Sequence, residues 1–297
     1  MVESYIFFAL GSAFFSASRF LLTKHILKNI LRNVFIFLVY SSVITALLFL
    51  TSWIFVPLAV PSETGFIYLI AASLLAFIGL ILMNFAFLKG DVSTIAPLMG
   101  LKILFVALFS SLFLQEYHHF LVYVGILLSV LGIALLYRND SGSSRKQGIP
   151  VILMIGAAML FGLSDIFTKK GLDGLDSWNF SVWFCLFLGF YSLCILCFIK
   201  DREKLKLNRG AIYSLLLLGI FQLGVISLIF YSIQLGGNVT IPNIMFSTGG
   251  IFVVIFTFIL SHLGYKILES HSRGIYLYRL IGALLITGAV ALVILRP

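Results

Sequence analysis

Charge is what this sequence has least of. Only 10% of its 297 residues are Asp, Glu, Lys or Arg, against 61% apolar, whereas a soluble globular domain carries about 25% charged and about 45–50% apolar residues. Large soluble domains, disordered tails and collagenous chains are excluded on that ground. Cysteine is scarce too: Cys185, Cys194 and Cys197 share one apolar run, where a thiol behaves as a small hydrophobe. A disulfide framework is therefore excluded, and Cys194 with Cys197 falls short of a four-ligand zinc site. His118 and His119 flank a loop at the lipid interface. The chain has no G-x-x-x-x-G-K-[ST] loop to cradle phosphates and no acidic pair to hold magnesium with a diphosphate. ATP-driven transport and intramembrane group transfer are thus not expected, and neither is a cofactor, a metal or an enzymatic activity. No positive segment precedes the apolar run that begins at Tyr5, so this run reads as a retained span and not a cleaved signal peptide.

What the sequence has in abundance is long apolar runs. A membrane-crossing helix needs about 20 apolar residues, and lipid forces such runs to satisfy their backbone as helices. Cutting at charged, polar and Gly/Pro clusters predicts ten transmembrane helices, at 5–24, 34–56, 66–88, 92–114, 120–137, 149–170, 178–199, 211–235, 239–262 and 278–295. Tyr5, Tyr68, Tyr137, Trp178, Tyr213, Tyr276 and Tyr278 stand near span ends, as aromatic belts do.

The net charge of +9 does not point to nucleic acid, because no basic helix interleaves aromatics with its cations. The cations instead crowd the loops of one side. Fifteen lie there (Lys24, Lys28, Arg32, Lys89, Arg138, Arg145, Lys146, Lys200, Arg202, Lys204, Lys206, Arg209, Lys266, Arg273 and Arg279), while Lys169, Lys170 and Arg296 are the three on the other. By the positive-inside rule the crowded side is cytoplasmic and both termini are outside. The expected location is the plasma membrane, multi-pass, as a monomer or homodimer.

The segment RNDSGSSRKQG, from Arg138, divides the chain into a first half (1–140), a polar cytoplasmic linker (141–148) and a second half (149–297). Three echoes link the halves in the same order: Gly11–Lys24 with Gly156–Lys169, FLKGDVSTIAP ending at Pro97 with SIQLGGNVTIP ending at Pro242, and GILLSVLGIALLYR with GALLITGAVALVILR. Five spans per half turn the second copy upside down, the arrangement of inverted-repeat secondary transporters. On these halves, on the stretch at 90–97 with its counterpart at 237–242, and on Glu116 closing the fourth helix, the sequence resembles the ten-helix, EamA-like branch of the drug/metabolite transporter superfamily. The resemblance implies an all-α membrane fold of two inverted five-helix repeats that carries a small organic solute across the lipid bilayer. It also implies termini in the cytoplasm, where the charge count puts them outside. YKILESHSRG in the second copy gives no match to Glu116, so no role passes to Glu269.

Charges inside spans cost about 2.5–3.5 kcal/mol on insertion scales and ask for a partner or a task. Arg19 lies about 7 Å from the cytoplasmic end of its helix, within snorkelling reach. Asp165 lies near the opposite face, about 16 Å from Arg19 in depth, and is expected to face a hydrated vestibule or to bind Lys169 at i+4. Both are candidates for coupling or gating, with a proton as the candidate coupled ion. Lys102 is about 15 Å from either face, with no acidic residue at its depth, and so calls for an anionic or zwitterionic solute. Gln222, Thr248 and Ser16 fall near the same level, Ser247 beside them; Asn84, Tyr231 and Asn243, closer to helix ends, complete the expected binding set. The expected function is secondary transport, as an exporter, by alternating access around a midplane site. The rival expectation is a non-transporting membrane protein such as a lipid-linked carrier, a flippase or a partner subunit.

Overall fold

The structure is a computed structural model that describes residues 4–90, 92–116, 119–136, 148–197 and 207–262, together with the single positions 281, 282, 285 and 288. Most of the expected tenth span, linker positions 141–147, His118 and Glu269 lie outside the described residues, as do most of the loop cations between the later spans. All regular structure among the described residues is helical: α1 (Ser4–Asn29), α2 (Val34–Thr51), α3 (Glu63–Lys89), α4 (Val92–Leu98), α5 (Lys102–Phe109), α6 (Phe120–Leu136), α7 (Gly148–Leu172), α8 (Ser177–Leu196), α9 (Arg209–Gly236), α10 (Thr240–Ser247) and α11 (Gly249–His262). Among these residues, eight segments are long and apolar enough to cross a membrane.

Side-chain caps set the helix ends. Asn33 accepts from the amides of Phe35 and Ile36, Ser62 from Gly65, Asp176 from Trp178 and Asn179, and Asn208 from Ala211. Each satisfies backbone donors that a helix start leaves open. α1 runs five residues past its expected end at 24. Lys24 accounts for part of that, its buried ammonium donating to the carbonyls of Phe87 at 2.7 Å and Gly90 at 2.6 Å. A cation on the last carbonyls of α3 complements the negative end of that helix and ties α1 to α3.

The fourth and ninth expected spans are each broken. Between α4 and α5 a 3-10 turn covers Met99–Leu101, just after Pro97, which cannot donate to the preceding turn. Between α10 and α11 the break falls at Thr248, where the hydroxyls of Ser247 and Thr248 bond the carbonyls of Ile244 and Met245, both at 2.7 Å, a habit that bends helices. The two broken helices cross where a Cβ on Gly250 would stand 3.4 Å from Pro97 Cα.

Helix contacts repeat when the first segment is exchanged for the second. α3 packs on α7 as α9 packs on α1, α3 on α8 as α9 on α2, and α2 meets α8 directly. Hydroxyls bond carbonyls across both main crossings: Ser12 to Val225 at 2.9 Å and Ser164 to Ala72 at 2.8 Å. In lipid such bonds and close packing hold helices together, at about 0.6 kcal/mol per bond. The buried apolar side chains fall into two clusters. One, with Phe20, Met83, Phe87 and Leu215, lies toward the face of Lys24; the other, with Phe49, Leu69, Phe180 and Phe230, lies toward the opposite face. The polar interior is sandwiched between them.

Gly90 is where four helices converge. Its carbonyl accepts from Lys24, and a Cβ there would come within 2.7 Å of Ile95 Cγ1 and 2.8 Å of Pro150 Cβ. Gly90→Ala is expected to cost about 1–3 kcal/mol by overpacking, seen as a lower unfolding temperature in detergent. Gly148→Ala, where nothing lies within 4 Å, should leave that temperature unchanged.

Candidate functional site

At the start of α5, immediately after the 3-10 turn, Lys102 projects inward, and its Nζ lies 2.6 Å from Asp165 Oδ2 on α7. The same oxygen accepts from Asn243 Nδ2 of α10 at 2.7 Å, and Asn243 Nδ2 also donates to Val239 O at 2.9 Å. Lys102, Asp165 and Asn243 are 7%, 6% and 2% exposed, so the charges neutralise each other away from water. The Lys102 ammonium also stands 5.2 Å from the centre of the Phe246 ring, within cation–π range.

This overturns two expectations. Lys102 has a protein counter-ion, and Asp165 binds Lys102 while Lys169 pairs with Asp173 at 2.9 Å. Rise along an ideal axis places α carbons; it ignores the four-carbon stem of lysine and the local break at Met99–Leu101, which together bring the ammonium to the carboxylate.

Arg19 is also buried, at 8% exposure, and does not snorkel. Its Nη1 donates to Gln222 Oε1 on α9, its Nη2 reaches only the Met83 sulfur at 3.7 Å, and its Nε has no partner among the described residues. The Phe20 ring lies 4.9 Å from the guanidinium carbon. No carboxylate among the described residues pairs with it. Snorkelling fails because α1 continues past Lys24, which puts Arg19 deeper than the expected span end implied.

Two cavities meet at Arg19 and Gln222. One, of about 40 Å³, extends toward the face of Lys24 and is lined by Thr23, Ser42, Thr45, Asn84 and Cys185 among others. The second, of about 80 Å³, contains Lys102 and Asp165 between Phe20, Phe161, Phe184, Phe230 and Phe246. Asn84 Oδ1 is buried with no partner among the described residues; water or a ligand is the usual partner of such an atom. Of the expected binding set, the structure thus places Lys102, Gln222 and Asn84 on the cavity walls, together with Asp165 and Arg19. Asn243 touches the site through Asp165. Thr248 and Ser247 bond their own helix, Ser16 is buried with no partner for its hydroxyl among the described residues, and Tyr231 is 40% exposed with its ring edge-on to Phe8. These four line neither cavity: for Thr248, Ser247 and Ser16, equal depth on different helices does not mean a shared face.

Asn179 was not singled out from the sequence. On the face away from Lys24 its side chain accepts from Trp53 Nε1 at 3.0 Å and from Ala59 N at 3.1 Å, and donates to Pro57 O at 3.1 Å. Trp178 adds a bond to Ser52 Oγ at 3.0 Å, and Trp183 one to Ala59 O at 3.0 Å. The connection between α2 and α3 is thereby sewn to the start of α8. The Asp-x-x-Asn spacing of a cap was the available signal. Nearby Glu116 follows a π-helical turn at Ser110–Leu114 and accepts from Thr240 at 3.5 Å.

A family model, the EamA-like transporter family, matches residues 3–138 and 148–295. The chain belongs to the EamA-like transporter family, and with its apolar helices it is an integral, multi-pass membrane protein of a class that transports and does not catalyse. No curated protein matches it. A solved crystal structure superimposes with a TM-score of 0.69 over 98% of this chain and 96% of its own, at 15% identity, a likeness of fold.

Burial raises the Glu116 carboxyl above its ordinary value of 4.5, opposed by the Val239 amide, the charge of Lys169 and the hydroxyls of Thr240 and Ser110. A raised carboxyl means that the folded chain holds the proton more tightly than the unfolded one. Its contribution is therefore present below pH 4.5 and lost as pH rises through the folded value. Glu116→Gln should flatten the fall in unfolding temperature as pH rises above 4.5, measured in detergent.

Proposed function

We propose that this protein is a secondary transporter of a small organic anion or zwitterion, working by alternating access between two inverted five-helix halves, ten transmembrane helices in all. The observation that carries this reading is Arg19: a buried guanidinium on the wall shared by two cavities, with donors to spare. Lys102 and Asp165 cancel, so the cavity walls carry one net positive charge. An anionic group supplies what is missing, and guanidinium is the side chain best shaped to hold a carboxylate or phosphate with paired hydrogen bonds. Gln222 orients the guanidinium, and Asn84 offers a further polar contact. The charge argument first attached to Lys102 thus passes to Arg19.

Alternating access has support in the contact pattern, in which each main helix pair has its counterpart, and in the discontinuous helices at the site, a recurrent transporter device. The hydrogen bonds around Asn179 hold one face together while the smaller cavity extends toward the other. For a monoanion moving alone, an inside-negative potential favours export by about 2.3 kcal/mol per 100 mV, and export is the direction we assign.

Proteoliposomes offered labelled organic anions, zwitterions and cations test the reading. Uptake or counterflow of an anion or zwitterion is expected, and Arg19→Gln should weaken its apparent affinity about ten- to a hundredfold, the loss of a charged hydrogen bond worth about 1.5–3 kcal/mol. Movement of cations alone, unchanged transport by Arg19→Gln, or lipid flipping with no solute moved would reject it.

The charge count further places the loop of Arg32 in the cytoplasm, at the plasma membrane, and the loop of Thr64 outside. A membrane-impermeant maleimide added to intact cells should label Thr64→Cys and spare Arg32→Cys. The reverse pattern would put the termini in the cytoplasm.

A further inference from the structure

We propose that Asp165 is a proton-binding site, and that its protonation releases the contact between the two halves of the chain. The purpose of this device rests on the transport reading above; the chemistry does not. Asp165 Oδ2 holds Lys102 from the first half and Asn243 from the second. Both partners belong to discontinuous helices: Lys102 starts α5 directly after the 3-10 turn, and Asn243 lies in α10 ahead of the break at Thr248. Any motion that separates α5 from α7 pulls an ammonium from a carboxylate in a site with little water. Leaving either charge buried and alone is strongly unfavourable, so the separation needs one charge to be neutralised first.

One neighbour of the carboxylate is matched to its acid form. Asn243 is 2% exposed and its Oδ1 has no donor among the described residues. An ionised Asp165 can only accept, so it leaves that oxygen orphaned. The acid form supplies the absent O–H: with Asn243 Nδ2 still donating to the carboxyl and the carboxyl O–H donating to Asn243 Oδ1, acid and amide satisfy each other. The freed ammonium is not stranded, since the Phe246 ring lies 5.2 Å away and the second cavity adjoins it. The same cavity gives a proton its route to Asp165.

The charged groups that face Asp165 are few. Lys102 comes from α5, Asn243 from α10 is neutral, and Arg19 from α1 stands on the wall of the same cavity. The charges of α3, Glu63 and Lys89, are at its two ends, and Arg209 is at the start of α9. α8 presents Cys185 and Tyr191, the latter beside Ser73. Along α7 itself, Lys169 is held by Asp173 and Lys170 lies over Tyr68. Lys102 is thus the one direct ionic partner of Asp165 among the described residues.

Infrared difference titration of the full chain in liposomes, with no solute added, tests this. It is done in a Glu116→Gln background to remove the other carboxyl that is not exposed among the described residues. A carboxylic acid carbonyl band should appear on acidification. Asp165→Asn should remove it and Asp165→Glu should shift it. In a Cys194→Ala, Cys197→Ala chain the thiol of Cys185 on the neighbouring cavity reports opening. Its rate with N-ethylmaleimide, corrected for thiolate fraction, should rise on acidification with the midpoint of the band, and should be high and flat in Asp165→Asn. A wild-type titration that Asp165→Asn leaves unchanged, or a Cys185 profile indifferent to that substitution, would overturn the proposal. Neither readout involves Arg19 or a transported solute, so failure here is separable from failure of the transport reading.

Discussion

One carboxylate oxygen organises the interior. Asp165 Oδ2 takes a proton donor from each side of the internal duplication, Lys102 at 2.6 Å and Asn243 at 2.7 Å. In a bilayer-spanning protein, where apolar burial does little to draw one helix to another, a bridge of this kind fixes which helices meet and at what height. The ion pair explains how Lys102 is tolerated far from either membrane face. It also leaves Arg19 as the unneutralised charge on the cavity walls among the described residues, the ground on which an anionic group is proposed.

The broken helices serve this bridge. A continuous helix through Pro97 would lose a hydrogen bond and clash with the preceding turn; the tightened turn at Met99–Leu101 absorbs the defect and delivers Lys102 to its partner. In the second copy, the hydroxyls of Ser247 and Thr248 bend the chain just beyond Asn243. Backbone irregularity at membrane depth is admissible where it is enclosed by protein or lines a cavity, and both breaks are near the two cavities. The apolar core is correspondingly split into two clusters, one toward each face, with the polar residues between them.

The spans were legible because apolar length is a strong signal: nine of the expected segments have helices among the described residues, with starts moved at the Ser62 and Asn208 caps, which composition alone does not weigh. Lys102, Arg19, Gln222 and Asp165 stood out in the sequence because a charge or amide within a span is rare. Which of them pair with which did not. Depth along a helix says nothing of which way a side chain points, so Thr248 and Ser16 shared a level with the site but not a face. Lys102 reached Asp165 because a long stem and a local break outweighed the axial estimate. The bonds of Asn179 depend on a loop folding back over α8, which no local pattern encodes.

The claim on which the rest turns is that Lys102 and Asp165 act as one unit across the two halves. A double-mutant cycle with Lys102→Gln and Asp165→Asn, read from reversible unfolding in mixed micelles, measures it directly. Lys102→Gln leaves a buried carboxylate unpaired and should cost about 3–5 kcal/mol, Asp165→Asn leaves the ammonium beside the Phe246 ring and should cost less, and the double variant, with no charge left to strand, should cost far less than their sum. Additive costs, with a coupling within about 0.5 kcal/mol of zero, would contradict the account.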